Sequence, residues 1–120
     1  MIDSTDAVVI LSRGSLTDDS ARLAVRVALA LPLAGSQVIL ALVDTASAVA
    51  LSGTEPDGRA RQLSRELDSL TGDEEVPILV ERESLELLGM ADRTLRPGAI
   101  RVDREELEHV CLMARSCLVL

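Results

Sequence analysis

Gln37-Val38-Ile39-Leu40-Ala41-Leu42-Val43 is apolar after its first residue, and Asp44-Thr45 ends the run. A strand with one wet face alternates polar and apolar residues. A run that is apolar at every position belongs to a strand covered on both faces, as in a parallel sheet. Ala7 to Leu11 (AVVIL) and Val76 to Val80 (VPILV) have the same character. Pro77 has no amide to give a ladder, so it belongs near the start of its strand.

Segments of helical period separate these runs. Leu16 to Leu31 reads as a helix with Asp18 and Asp19 at the positive end of its dipole. Arg22 and Arg26 mark its expected wet face, and Leu23, Val27 and Ala30 its dry one, with Pro32 and Gly35 as the stop. SGTEPDG, from Ser52 to Gly58, is the loosest stretch. Ala60 to Leu70 predicts a helix with Leu63, Leu67 and Leu70 on one face, and Thr71 to Glu75 an acidic turn. Glu83 to Leu88 predicts a short helix that Gly89 ends. Ala99 to Val102 is a short strand. Asp103 and Glu106 form a capping box that opens a helix with Leu107, Val110 and Ala114 inward and Cys111 beside them. Cys117 to Leu120 (CLVL) is a closing strand.

Strands that alternate with helices predict an α/β fold: one three-layer domain over residues 1–120, with a mainly parallel sheet of about five strands. Right-handed crossovers then bring the ends of the first three strands to one rim. That rim carries Ser12 and Arg13 after the first strand, Asp44 after the second and Glu81 after the third. A crevice beyond such strand ends is the usual ligand position of the fold class.

Composition removes several functions. The 120 residues contain no Phe, Tyr or Trp, so the core falls to 21 Leu, 14 Ala, 12 Val and 5 Ile. There is no Phe, Tyr or Trp ring to stack a nucleic-acid base. The net charge is −8, every basic residue is Arg, and no basic cluster appears. Nucleic-acid binding is therefore not expected, and a Schiff-base lysine is impossible. The start, Met1 to Asp6, is acidic where a secretory signal needs positive charge. Val27 to Gly35, interrupted by Pro32, is far short of the ~20 apolar residues of a membrane span. A cytoplasmic protein that does not bind membranes is expected.

The candidate chemistry is sparse. SRGS, Ser12 to Ser15, matches neither GxGxxG nor GxxxxGK[ST]. Arg13 could hold an anion beside the following helix, or sit in a solvated turn or an ion pair with Asp44. Asp44 and Glu81 form a candidate carboxylate pair for acid–base work; capping or salt bridging is the plainer reading. His109 is the single histidine and falls on the outer face of its helix, so no metal site is expected, and no cofactor. No GxSxG elbow is present. Cys111 and Cys117 fit neither a disulfide framework nor a CxxC pattern, and both read as packed small hydrophobes away from the rim.

Taken together, VVILSRGS, QVILALVDTASAVAL, VPILVERESLELLGM and LRPGAIRVDREELEHVCLMARSCLVL resemble, in order and spacing, the DsrE/DsrF-like family of small sulfur-relay proteins. The resemblance covers almost the whole chain and implies that family's fold. It aligns Asp44 with the Asp of an Asp-Gly-Val segment, here followed by Thr45-Ala46. Sulfur-transferring members carry a cysteine eight positions before the Gly of an Arg-Gly turn. Counted back from Gly89, that position is Glu81, and Leu88 stands for the Arg. The resemblance thus implies a non-catalytic binding or structural subunit of an assembly in intracellular sulfur relay. It further implies self-association as a trimer or hexamer, or pairing with related subunits. Two alternatives stay open: a sulfurtransferase that uses Cys111 or Cys117, and a sensor that grips a small molecule or anion with Arg13, Asp44 and Glu81.

Overall fold

The computed structural model describes residues 5–13, 19–51 and 58–120. Its elements follow the order β1 (Ala7–Leu11), α1 (Asp19–Leu33), β2 (Val38–Leu42), a 3-10 helix (Asp44–Ala50) and α2 (Arg59–Gly72). Then come β3 (Ile78–Glu81), α3 (Arg82–Leu87), β4 (Ala99–Val102), α4 (Arg104–Met113) and β5 (Ser116–Val119). The five strands form one sheet in the order β4-β3-β2-β1-β5, and every neighbouring pair is parallel. This is the parallel α/β architecture expected from the buried runs. Gly14 and Ser15, the expected helix start at residues 16–18, and residues 52–57 of SGTEPDG lie outside the described residues.

Alternation along the strands divides the core in two. Val9, Leu11, Leu40, Leu42, Ile78 and Val80 point to one face. There they meet Ala21, Ala24, Val25 and Ala28 of α1 and Leu63, Leu67 and Leu70 of α2. Burying each such leucine contributes about 1.5–3 kcal/mol, so Leu67 and Leu70, both fully buried, anchor α2. Val8, Ile39, Ala41, Leu79 and Val102 point to the other face, which packs against Leu107 of α4. Only α4, ten residues long, covers that face among the described elements.

Several expectations need correction. The dry face of α1 is the stripe Ala21, Ala24, Val25 and Ala28, with the expected Val27 partly buried at its margin, and not Leu23 and Ala30; Leu23 is 52% exposed. At 100° per residue Leu23 and Ala30 lie on the opposite side of the helix. The small side chains let the helix axis sit close to the sheet, which outweighs the bulk of Leu23. Pro32 does not stop α1, which runs to Leu33. One residue from the end, proline forfeits only the bond to the Ala28 carbonyl. The stop is Gly35, at φ +88°, with Ser36 N–H donating to Leu31 O (3.2 Å) and Gly35 N–H to Pro32 O (2.9 Å).

Asp44 to Ala50 form a 3-10 helix to which the sequence reading assigned no element, and α2 extends into the expected acidic turn as far as Gly72. Strands β3 and β5 are shifted by one or two residues from their expected limits. Pro77 stands immediately before β3, as its missing amide requires, and its carbonyl accepts from Leu40 N–H at 3.0 Å. Among the described residues no helix is long and apolar enough to cross a membrane.

One buried cation joins the layers. Arg96 is 2% exposed and donates to the carbonyls of Val49 (3.0 Å), Leu51 (3.4 Å) and Ser64 (3.4 Å), to Ser64 Oγ (2.8 Å) and to Asp68 Oδ1 (3.3 Å). It ties the end of the 3-10 helix to α2.

Candidate functional site

Parallel strands place the ends of β1, β2 and β3 on one rim. Glu81 is the last residue of β3, and its backbone starts α3, so its side chain is drawn beneath the turn that follows. It is only 6% exposed. Ser84, three residues on and therefore on the same side of α3, donates its hydroxyl to Glu81 Oε1 at 2.5 Å. The same hydroxyl accepts the backbone N–H of Asp44 at 2.8 Å. From α4, Arg104 grips both carboxylate oxygens, Nε to Oε2 and Nη2 to Oε1, each at 3.3 Å. The Glu81 hydrogen bond and charge hold the Arg104 guanidinium above its ordinary pKa.

Glu83 seats the start of α4 from the other side. Both its oxygens accept the Arg104 backbone N–H at 3.0 Å, and this bond is the main reason its carboxyl lies below its ordinary range. Asp103 caps the same helix through Oδ1 to the Glu106 N–H, 2.7 Å, the capping contact expected from the spacing. Four orphan amides open a helix, and here two carboxylates serve two of them.

Asp44 sits at φ +51°, a left-handed conformation uncommon for a residue with a Cβ. Its carbonyl accepts from Ser47 Oγ at 2.7 Å, which fixes the tight entry into the 3-10 helix. Asp tolerates this conformation better than most residues, and the bend leaves its side chain exposed at the rim.

Beside α4 lies a cavity of about 710 Å³. It reaches from the strand ends to the edge strand β5, because α4 is too short to cover the whole sheet face. Ile10, Val43, Leu107 and Leu112 form its apolar walls. Asp44, Glu81, Arg104 and Glu108 supply its polar groups, and Cys111 and Cys117 complete the lining.

The structure therefore brings Asp44 and Glu81 to one cavity, but not Ser12 and Arg13, which follow β1 outside its lining. Arg13 is exposed and makes no ion pair with Asp44. The expected place of the thiols needs correction: Cys111 and Cys117 line the same cavity as Asp44 and Glu81 instead of lying apart from it. Cys117 is exposed, not packed, because it lies on the edge strand β5, whose four residues are all exposed. Burial pushes the Cys111 thiol up to about 11, with the Cys117 thiol beside it adding to the rise. Ser84 and Arg104 were not singled out by sequence reading. The Glu-x-x-Ser spacing of Glu81 and Ser84 is a local signal, whereas nothing in the chain order links Arg104 to Glu81. Among the described residues no group of three or more His, Cys, Asp or Glu is placed to hold a metal.

A cavity beyond the strand ends of a five-stranded parallel sheet, with helices on both faces, defines a small α/β protein of the architecture that the DsrE/DsrF-like resemblance implies. The crystal structure of ychN protein from E. coli shares it: TM-score 0.77 at 22% identity, over 96% of this chain and 99% of that one. No family model matches the chain, and neither does any curated protein. The likeness to ychN protein is a likeness of fold.

Proposed function

We propose that this chain is a non-catalytic binding or structural subunit of a DsrE/DsrF-like assembly working in intracellular sulfur relay. The observation that carries the reading is Glu81. It stands where the resemblance puts the sulfur-carrying cysteine, and Ser84 and Arg104 hold its carboxylate in place. A carboxylate has no sulfur to form a persulfide, and one fixed by three hydrogen bonds is not free to meet a donor. Support for a subunit role comes from the exposed apolar residues of α4 and β5. Leu112 is 83% exposed and Val119 68%, with Met113 and Leu118 beside them. Strands of parallel sheets are ordinarily covered on both faces.

The test is sulfur loading with a small persulfide donor, followed by mass measurement, on the native chain and on Glu81→Cys. The native chain is expected to take up no sulfane sulfur, and the variant one equivalent. Uptake by the native chain on Cys111 or Cys117 would overturn the reading in favour of the sulfurtransferase alternative, which draws its support from both thiols lining the cavity. Sedimentation at micromolar concentration adds a second check. A strict monomer, unchanged by co-expressed neighbours, removes the assembly.

A further inference from the structure

We propose that Cys111 and Cys117 are a reversible dithiol–disulfide pair, an oxidative modification site that ties the end of α4 to the edge strand β5. Cys111 lies two residues before the end of α4, and Cys117 is the second residue of β5. The chain reverses between them over Ala114 and Arg115. The Ala114 N–H donates to the Cys111 carbonyl (3.3 Å), while the Arg115 N–H donates to Thr5 O (3.2 Å) and starts the pairing with β1. This reversal points the Cys117 thiol back at the helix, where Sγ donates to the Cys111 carbonyl at 3.6 Å. The Cys117 thiol is near enough to add to the rise that burial gives the Cys111 thiol. Neighbouring elements and adjacent thiols are what a disulfide needs, since its Cα atoms lie only ~4.4–6.8 Å apart.

Access and chemistry agree with this placement. Both thiols line the open cavity, and Cys117 is exposed to solvent. The oxidant is a low-molecular-weight disulfide of the glutathione type. Cys117, as thiolate, attacks one sulfur of that disulfide, forming a mixed disulfide and expelling one thiolate, which takes up the proton Cys117 gave to solvent. Cys111, once deprotonated, attacks the Cys117 sulfur; the second small thiolate leaves and is protonated in turn. The protein loses two electrons and two protons, and the small disulfide becomes two thiols. Cys111 is the less exposed partner, which suits it to the resolving step, while the exposed Cys117 meets the oxidant first. The bond replaces two separate thiols on the cavity wall with one fixed bridge, so the wall between α4 and β5 differs between the reduced and oxidised chain.

The experiment equilibrates the full chain in glutathione buffers from reducing to oxidising, quenches with acid, alkylates the remaining thiols and measures intact mass. Both thiols are expected to disappear together, with loss of two hydrogens per chain, no chain-to-chain link on a non-reducing gel, and full return with dithiothreitol. Cys111→Ser is expected to stop at one glutathione adduct on Cys117. Cys117→Ser, a change at an exposed position, is expected to form no intramolecular bond. Two thiols that survive the most oxidising buffer overturn the proposal. So does a native chain that only collects separate glutathione adducts or crosslinks between chains.

Discussion

Arg104, from the first turn of α4, holds both oxygens of Glu81, the last residue of β3, at 3.3 Å each. The pair joins the rim of the sheet to α4, which packs on its second face. Arg104 is about half exposed, with a side-chain exposure of 55% against 8% for Glu81. Solvent therefore screens the cation but not the anion.

Arg104→Ala leaves the Glu81 carboxylate buried with the Ser84 hydroxyl as its remaining partner. The expected outcome is a lower urea midpoint than that of the native chain, because a buried charged acceptor loses a donor. A double-mutant cycle with Glu81→Gln should show that the two losses do not add. Additive losses would mean that the two side chains act independently.

Arg96→Met should be the more damaging change at an arginine. It removes the donors to the buried carbonyls of Val49 and Leu51 and to Ser64 Oγ. Each buried acceptor left unpaired costs about 1–3 kcal/mol, so we expect a loss of about 2–6 kcal/mol. Arg96→Lys should restore little, since an ammonium cannot reach all three acceptors. Thermal unfolding of both variants checks the order, and full rescue by lysine would contradict it.

Gly98 and Gly89 share a left-handed backbone but not their surroundings. A Cβ on Gly89 meets open space, whereas one on Gly98 would lie 2.4 Å from the Cβ of Thr71. Gly89→Ala should cost about 1–2 kcal/mol from backbone strain alone. Gly98→Ala adds a steric term of about 1–3 kcal/mol and displaces Thr71, whose hydroxyl donates to Pro97 O at 3.2 Å. Equal midpoints for the two variants in urea would rule out the clash.

Stability should fall at both ends of the pH scale, for different groups. Folding raises the Cys111 thiol from 9.0 to about 11, chiefly through burial. The folded chain then holds a proton that the unfolded chain loses, so this contribution is complete below pH 9.0 and vanishes as pH rises toward about 11. Glu83 moves the other way: its carboxyl is lowered from 4.5, so its contribution is present above pH 4.5 and fades as pH falls. Urea midpoints across the pH range test this. Cys111→Ser should flatten the alkaline limb, and Glu83→Gln the acid one.

How much of this was legible in the chain varies by element. QVILALV and AVVIL announced buried parallel strands because the apolar residues occupy both faces. Leu63, Leu67 and Leu70 announced the inner face of α2 because the rest of that helix is polar. Helix α1 was misread because apolar residues surround it, and size rather than hydropathy selected the buried stripe. Asp44 and Glu81 were legible as rim residues because each ends an apolar run. Ser84 was not singled out although Glu81-x-x-Ser84 is a local signal, and Arg104 was not because its partner lies on another element.

The sequence by itself determined the α/β class, the five strands, the caps at Asp103 and Gly89, and an acidic surface chemistry without Phe, Tyr or Trp. All of these follow from neighbours within a few positions along the chain, where period, propensity and capping act. Only the tertiary structure decided the strand order, the Arg104–Glu81–Ser84 network, the burial of Arg96 and the meeting of Cys111 and Cys117 with Glu81 on one cavity. Each depends on where α4 crosses the sheet and how far it reaches. That placement is set by the packing of Leu107 onto Val8, Ile39 and Leu79 and by the charges at the helix's own N-terminus.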